Sequence, residues 1–370
     1  MPEASGEERR GPTVEIPARI EQAVGDSVTR HLETELGDRG LLLTAEGLAA
    51  AEVEAARRGA RLLTSVIDQC YPTSRRESRA LAVEFESERA AARLGAALAF
   101  GAMTARVLVS GERELAGSVE LLCAIFNLGI GLVDGVCDED AETGGALLEL
   151  VQRQDLAQAA EAPRGRGWLR ATLSPALAAD WTVAFTVDVI EAFFETLHAA
   201  YPGEAWSRLR RGVGTQLDAA LGAERESVIR SAGQRAPERL LECSRLTSVI
   251  PFQIIEALAC GDGAPTEPSA GTQLGEAVWR IDDLVDLCQD ARSGSLNGVL
   301  LAATTGAGER DVLAALEHLV GSTDIACAAT EAAERLLAGL QLAGAPEDYP
   351  RTAFLHFIQR YAGIAPRPMS

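Results

Sequence analysis

The sequence of 370 residues contains no lysine, so all of its 34 basic residues are arginines. Against them stand 54 aspartates and glutamates, which gives a formal net charge of −20. A chain this acidic lacks the sequence-wide basic surface with which proteins bind nucleic acids or anionic membranes. The absence of lysine also excludes mechanisms that need a lysine Schiff base or the lysine of a phosphate-binding loop.

Cysteine pairs and long apolar runs are missing as well. The seven cysteines lie singly and none forms a CxxC pair, so neither a disulfide framework nor a zinc site is expected. The N-terminal residues are polar and charged and lack the apolar segment of a signal peptide. The longest apolar run, residues 121–133, contains Asn127 and is shorter than the roughly 20 residues of a membrane span. We therefore expect a cytoplasmic protein with no membrane span.

Residues that favour β-strands are also scarce. Aromatic residues make up only 5% of the chain and β-branched runs are rare, whereas the helix formers Ala, Leu, Glu and Arg dominate. Amphipathic stretches alternate with breaks rich in Gly, Pro and Ser. These patterns predict an all-α fold with helices near 17–36, 45–70, 76–108, 112–136, 143–159, 175–200, 204–231, 236–260, 268–291, 296–303, 309–338 and 348–362. Without a long linker or repeat, residues 16–370 are predicted to form one domain behind a disordered tail, 1–15.

The segment WRIDDLVDLCQDARSGSLN, residues 279–297, places carboxylates inside an otherwise apolar helix. Three aspartates lie four residues apart and share one helix face, namely Asp282, Asp286 and Asp290. Like charges at this spacing repel by a few tenths of a kcal/mol per pair, so the face needs a compensating cation. Oxygen ligands without His or Cys favour Mg²⁺ over zinc or copper. The structural alternative is a solvated acidic face balanced by Arg280 and Arg292.

A second segment, FNLGIGLVDGVCDED, ends another apolar helix with Asp134 and Asp138, again four residues apart. Glu139 and Asp140 follow directly. Acidic residues beside a turn are common, so this segment alone is weak. Two aspartate-bearing helices that face each other across an all-α cavity, however, could hold several Mg²⁺ ions and a diphosphate between them.

Together the two segments resemble the motifs of class I terpene synthases, in the isoprenoid synthase superfamily. That family is an all-α bundle with an aspartate-rich motif, commonly DDxxD, opposite a triad of the form (N/D)DxxSxxxE. DDLVDLCQD has the spacing of the triad, and VDGVCD keeps the first and last carboxylates of DDxxD but has Gly135 at the second. The resemblance covers residues 90–365. It implies a central active-site cavity and metal ligands among Asp134, Asp138, Asp282, Asp283, Asp286 and Asp290.

The resemblance also implies groups that bind diphosphate. Arg360 and Tyr361 correspond to an Arg-Tyr pair that reaches the diphosphate in many members when the site closes. The family further uses a basic residue on the helix before the triad to sense diphosphate, and the candidates are Arg245, Arg235 and Arg239. We favour Arg245, although a structural pairing with Glu242 on the same helix is an equal alternative.

The activity implied is Mg²⁺-dependent ionisation of a prenyl diphosphate, with three ions bound, followed by cyclisation and release of diphosphate. Bacterial members suggest a C20 substrate, geranylgeranyl or a copalyl-type diphosphate, with farnesyl diphosphate as the runner-up, and a homodimer is one option. Protonation-initiated cyclisation is not expected, because no DxDD motif occurs. Four aromatic side chains are candidates to stabilise the carbocation from the cavity wall, with plain core packing as the alternative for each: Phe126, Trp279, Phe252 and Phe185.

Neighbouring families give the alternatives. Head-to-tail prenyl elongases share a DDxxD that Asp282, Asp283 and Asp286 also satisfy, but they carry GGKxxR and further lysines. RRGAR at 57–61 or SRRESR at 74–79 could substitute. Head-to-head synthases use two DxxxD motifs, and DLCQD resembles the second. A non-catalytic diphosphate-binding or scaffold protein of the same fold is the third possibility. We favour the cyclase chiefly because lysine is absent.

Overall fold

A computed structural model of the chain describes residues 14–70, 88–109, 114–228, 237–261, 268–293, 297–305, 312–345 and 349–365. The helices in these ranges are α1 Ala18–Asp38, α2 Ala45–Cys70, α3 Glu88–Leu108, α4 Gly117–Glu139, α5 Ala141–Gln152, α6 Leu156–Glu161, α7 Pro175–Ala179, α8 Trp181–Ala200, α9 Ser207–Val228, α10 Pro237–Cys260, α11 Ala270–Val285, α12 Leu287–Ser293, α13 Gly298–Thr305, α14 Val312–Gly321, α15 Asp324–Leu342 and α16 Tyr349–Tyr361. Short 3₁₀ turns occupy Arg170–Thr172 and Glu204–Trp206. The described ranges contain no β-strand, so the predicted all-α fold is confirmed.

One hydrophobic core connects helices from both ends of the chain, and its buried members run from Ile16 to Ile364. Within it, α4 packs against α3, α5 and α8, and α11 packs against α10 and α15. The predicted disordered tail, 1–15, lies outside the described residues except for Val14 and Glu15.

Glycines let the central helices approach one another closely. A Cβ atom on Gly101 of α3 would lie 2.5 Å from the carbonyl oxygen of Cys123 on α4. A Cβ atom on Gly275 of α11 would lie 2.7 Å from the Cα atom of Val249 on α10. Because both distances are shorter than real Cβ contacts, any larger residue would push these helices apart. Beside Gly101, the side-chain amide of Asn127 donates to the carbonyl of Ala97 at 2.9 Å, which satisfies a polar group inside the apolar α4.

Short polar side chains break several stretches that the sequence pattern predicts as continuous helices. Asp155 accepts a hydrogen bond from the backbone N–H of Gln158 at 2.9 Å and starts α6 inside the predicted helix 143–159. Asp180 accepts from the N–H of Thr182 at 2.8 Å and starts α8 inside the predicted helix 175–200. Such N-caps satisfy backbone donors that have no partner within the helix, so they stabilise a new start.

Two described helical segments are long and apolar enough to cross a membrane, 91–108 with a mean hydropathy of 1.2 and 117–139 with 1.8. A third candidate is the pair α14 and α15, which bends by 71° at its break. The apolar run 121–133 is therefore only part of a longer apolar helix. The length and composition of these helices do not support the expectation that the protein lacks a membrane span. More than half of each of the first two segments is buried inside the fold. A helix enclosed by others in a bundle is apolar all round for the same reason, so the absence of a span stays a prediction.

Candidate functional site

Asp134 and Asp138 lie on the last two turns of α4, where the buried face of the helix continues with Val133, Val136 and Cys137. Both aspartates are exposed, although neighbouring protein atoms displace part of the water around their carboxylates. This desolvation, with the nearby charges of Asp138 and the second segment, raises the pKa of Asp134 to about 7. The pKa of Asp138 is raised by burial and by the charge of Asp286.

Asp282 and Asp286 lie opposite, where α11 gives way to α12. The helix ends at Val285, and Asp286 is its C-cap. The backbone N–H of Asp286 still donates to the carbonyl of Asp282 at 2.9 Å, so the two carboxylates stay one turn apart. The hydroxyl of Tyr361 donates to both, at 3.4 Å from Asp286. Burial raises the pKa of Asp282 to about 6, although the bond from Tyr361 lowers it.

The two predicted motifs interact electrostatically. The charges of Asp282 and Asp286 raise the pKa of Asp134, and the charge of Asp138 raises that of Asp282. Coulomb interaction falls with distance, so this mutual effect requires that the two pairs lie near one another. The fold therefore brings together two acidic segments that are separated by more than a hundred residues.

The other two aspartates of the second segment differ in their surroundings. Asp290, on α12, is coupled to Asp286 and Asp282, and burial raises its pKa to about 6. Asp283 is only 5% exposed and points its carboxylate at the start of α13, where it accepts from the N–H of Gly298 at 3.0 Å. Asp283 thus binds backbone, and the carboxylates that share the acidic face are those of Asp282, Asp286 and Asp290.

Glu224 on α9 joins the acidic site and was not predicted from the sequence. Burial and the charges of Asp134 and Asp138 raise its pKa to about 7. A signal for it exists, because Glu224 follows Leu217 and Leu221 at helical spacing on a face that is otherwise apolar. It belongs to no motif, and only the packing of α9 reveals its neighbours. The acidic site is defined here as Asp134, Asp138, Glu224, Asp282, Asp286 and Asp290.

The arginines predicted to sense diphosphate have other partners. Arg245 pairs with Glu242 at 2.8 Å and also with Glu276, which is the structural alternative considered for it. Arg239 lies 3.4 Å from Glu226. Arg235 lies outside the described residues. Neither described arginine is paired with a carboxylate of the acidic site.

The two members of the predicted Arg-Tyr pair point in different directions. Tyr361 faces the acidic site, as described above. The guanidinium of Arg360 instead lies 3.0 Å from the carboxylate of Glu52 on α2, and both side chains are exposed. Arg360 therefore connects α16 to α2 and makes no contact with the aspartates.

An apolar cavity, open to solvent on one side, lies between α4, α8 and α9. The space among its lining atoms is about 330 Å³ with the open solvent counted, and the enclosed part is much smaller. The lining residues are Ile125, Phe126, Gly129, Ile130, Val133, Val189, Ile190, Phe193, Leu217 and Leu221. Val133 lines the cavity, whereas the next residue, Asp134, is exposed, so α4 carries the cavity wall and the carboxylate on two different faces.

Of the four aromatic residues predicted for the cavity wall, only Phe126 lines this cavity, where it contacts Phe193 at 5.6 Å between ring centroids. The others pack elsewhere in the core. Phe185 is fully buried and its ring stacks against that of Trp181. The ring of Phe252 meets that of Phe100 edge-on at 6.1 Å. For Trp279, the indole N–H donates to the hydroxyl of Ser244 at 3.3 Å.

The donors of the acidic site are all carboxylate oxygens, which suit a hard divalent cation such as Mg²⁺. Among the described residues, no three His, Cys, Asp or Glu side chains converge closely enough to hold an ion by themselves. Mg²⁺ is commonly bound by one or two carboxylates together with phosphate oxygens of a ligand, so open pairs of carboxylates fit that mode of binding.

No protein-family model matches the sequence, and a search of curated proteins finds no significant match. The function is therefore inferred from the acidic site and from the apolar cavity that α4 lines.

Proposed function

We propose that this chain is a class I terpene synthase, a lyase that ionises a prenyl diphosphate in the presence of Mg²⁺, cyclises the carbocation and releases diphosphate. The observation that carries the proposal is that Asp134 and Asp138 on α4 interact electrostatically with Asp282 and Asp286, while another face of α4 lines an apolar cavity. A prenyl diphosphate has the matching form, an anionic head joined to an apolar chain. In this proposal the fold is of the isoprenoid synthase type.

The charge of the acidic site supports the role of a cation. Several carboxylates with raised pKa values face one another, and none of them is paired with an arginine within the described part of the chain. Asp134 and Asp138 would hold Mg²⁺ on one side of the diphosphate, and Asp282, Asp286 and Asp290 on the other. Bound there, Mg²⁺ supplies Lewis acidity that stabilises the negative charge of the leaving diphosphate.

The remaining steps fall to side chains of the protein. Tyr361 carries a hydroxyl at the acidic site, where it can donate to a diphosphate oxygen as it now donates to Asp282. The apolar lining excludes water, which would otherwise quench a carbocation, and confines the prenyl chain. The faces of Phe126 and Phe193 offer cation–π stabilisation within that lining.

The partners of the arginines in RRGAR concern the alternative that the chain is a prenyl elongase. An elongase needs a second cationic site for isopentenyl diphosphate, and this segment was one substitute for the usual lysines. Arg58 is bonded to the buried Glu120, and Arg57 and Arg61 both lie near Glu54. Only Arg58 is held in a buried pair, since Arg57 and Arg61 are mostly exposed and such pairs are weak, so the elongase alternative stays open. The other substitute, SRRESR, lies outside the described residues.

Incubation of the purified protein with geranylgeranyl diphosphate tests the proposal. We expect release of diphosphate that requires Mg²⁺ and a hydrocarbon product detected by gas chromatography. A longer prenyl diphosphate formed only when isopentenyl diphosphate is added would identify an elongase instead. Binding of diphosphate without turnover would identify a non-catalytic protein.

A further inference from the structure

The side-chain amide of Asn297 bonds four backbone or side-chain groups beside the acidic site, and the residue is only 2% exposed. Its oxygen accepts from the backbone N–H groups of Val299 and Leu300, both at 3.1 Å, and so caps the start of α13. Its nitrogen donates to the backbone carbonyl of Asp283 at 2.6 Å and to the carboxylate of Asp290 at 2.9 Å. Both ends of the amide are therefore in use.

This bridge spans the break between α11 and α12. In one continuous helix, the backbone alone would fix Asp290 relative to Asp282, eight positions earlier. Here the helix ends at Val285, so a small rotation of α12 would move the carboxylate of Asp290 away from its neighbours. The amide of Asn297 connects the last turn of α11, through the carbonyl of Asp283, to Asp290 on α12.

Gly298 holds the same junction from the other side. Its backbone N–H donates to the carboxylate of Asp283 at 3.0 Å. A Cβ atom at this position would lie only 2.7 Å from that carboxylate oxygen. A larger residue would displace the Asp283 carboxylate, so Asn297 and Gly298 form one connection between α13 and the end of α11.

We propose that Asn297 is a positioning residue, which holds one oxygen of the Asp290 carboxylate so that the other is directed at the cation. The inference rests on the proposed function, because it concerns a ligand of the same site. An ionised carboxylate has two oxygens that accept several hydrogen bonds, so the bond from Asn297 leaves acceptor positions free. Partners of this kind typically change metal affinity by about 10- to 100-fold when removed.

The test compares Asn297→Ser with a matched cap, Asp155→Ser at the start of α6. Serine keeps an acceptor for the helix start but lacks the amide donor to Asp290. Binding of Mn²⁺ in place of Mg²⁺ is measured by electron paramagnetic resonance with inorganic diphosphate present, and thermal unfolding is followed in parallel. We expect Mn²⁺ affinity to fall about 10- to 100-fold in Asn297→Ser and to stay unchanged in Asp155→Ser. The melting temperature should fall further in Asn297→Ser, which loses two buried hydrogen bonds, so Mn²⁺ binding is measured well below both melting temperatures.

Two results would overturn the proposal. The first leaves the proposed cation site intact, and the second contradicts the cation site as well. If Asp290→Asn weakens Mn²⁺ binding but Asn297→Ser does not, the positioning role is wrong and the cation site stands. If wild type and Asp282→Asn bind Mn²⁺ equally, the cation site itself is wrong and the role of Asn297 falls with it. Should Asn297→Ser fail to fold, Asn297→Thr replaces it, because threonine also keeps a capping oxygen and lacks the amide donor, and it adds no charge beside Asp290.

Discussion

The hydroxyl of Tyr361 on α16 donates a hydrogen bond to the carboxylate of Asp282 on α11. The two residues lie at the end of the last described helix and at the start of the DDLVD sequence, and this contact places α16 across the mouth of the acidic site. The bond lowers the pKa of Asp282 and so opposes the effect of burial. A helix near the C-terminus thereby supplies a donor where the proposed leaving group would sit.

Replacement of Tyr361 by phenylalanine removes this donor and little else. A hydrogen bond to a charged group contributes about 1.5–3 kcal/mol, so we expect kcat/KM for a prenyl diphosphate to fall about 10- to 100-fold. Because Tyr361 is 45% exposed, the melting temperature of the Tyr361→Phe variant should stay close to that of wild type. Wild-type kcat/KM in steady-state kinetics would show that the hydroxyl contributes nothing to the reaction.

Two variants, Arg360→Gln and Glu52→Gln, distinguish between two possible roles of Arg360. If Arg360 serves only to connect α16 with α2, Arg360→Gln and Glu52→Gln should have the same small effect, because exposed ion pairs contribute about 0–1 kcal/mol. If Arg360 leaves Glu52 to bind diphosphate, as the family resemblance implies, kcat/KM should fall at least 10-fold in Arg360→Gln alone. We expect the second outcome, and equal kinetics in the two variants would contradict it.

Removal of one charge from the acidic site should stabilise the metal-free protein. Burial and like charges raise the pKa of Asp134 from 3.8 to about 7. The protonated carboxyl group therefore stabilises the folded protein below about pH 4, and this stabilisation is lost as the pH rises through about 7. Asp134→Asn should therefore abolish turnover yet unfold at a higher urea concentration at pH 8. We expect a gain of roughly 1 kcal/mol, less than the shift alone implies because solvent reaches the side chain.

The control for this measurement is Asp26→Asn, an exposed aspartate on α1. Urea unfolding is compared at pH 5 and pH 8 with a chelator present. The stability of Asp26→Asn should depend on pH as in wild type, whereas that of Asp134→Asn should depend on it less. A loss of stability in Asp134→Asn at pH 8 would mean that this carboxylate is not repelled by its neighbours.

A larger side chain at Gly129 should shorten the preferred substrate. A Cβ atom there would make an ordinary contact, 3.6 Å from a methyl group of Val189, so the methyl groups of valine would extend into the cavity. We expect Gly129→Val to lower kcat/KM for the C20 diphosphate at least 10-fold relative to a C10 or C15 diphosphate. Gly131→Val is the matched control, because Gly131 lies exposed on the same helix with open space around it. Equal chain-length preference in both variants would show that the prenyl chain does not occupy this cavity.

The helical class and the two acidic segments could be predicted because their signals are local. Composition favours helices throughout, and the spacing of Asp134 and Asp138 is set by one helical turn. The breaks at Asp155 and Asp180 were missed, since a capping side chain competes with helix continuation and the outcome depends on packing. The break at Asp286 was missed for the same reason, and with it the need for Asn297.

Partners across the fold could not be predicted, because no single-sequence pattern records them. Glu224 reaches the acidic site only through the packing of α9, and Arg245 finds Glu276 only because α10 lies beside α11. Phe252 is apolar and helical in the sequence whether it faces a cavity or another ring, and the structure places it against Phe100. These assignments depend on tertiary neighbours.

The central claim is that the acidic site supports Mg²⁺-dependent ionisation of a prenyl diphosphate. The most direct test measures diphosphate released from geranylgeranyl diphosphate by wild type, Asp282→Asn and Asp286→Asn, with Asp26→Asn as the control and circular dichroism to confirm folding. We predict Mg²⁺-dependent release by wild type and Asp26→Asn and a loss of about 1,000-fold or more in the other two. Near-full activity in either Asp282→Asn or Asp286→Asn, or no release by wild type from any prenyl diphosphate between C10 and C25, would contradict the claim.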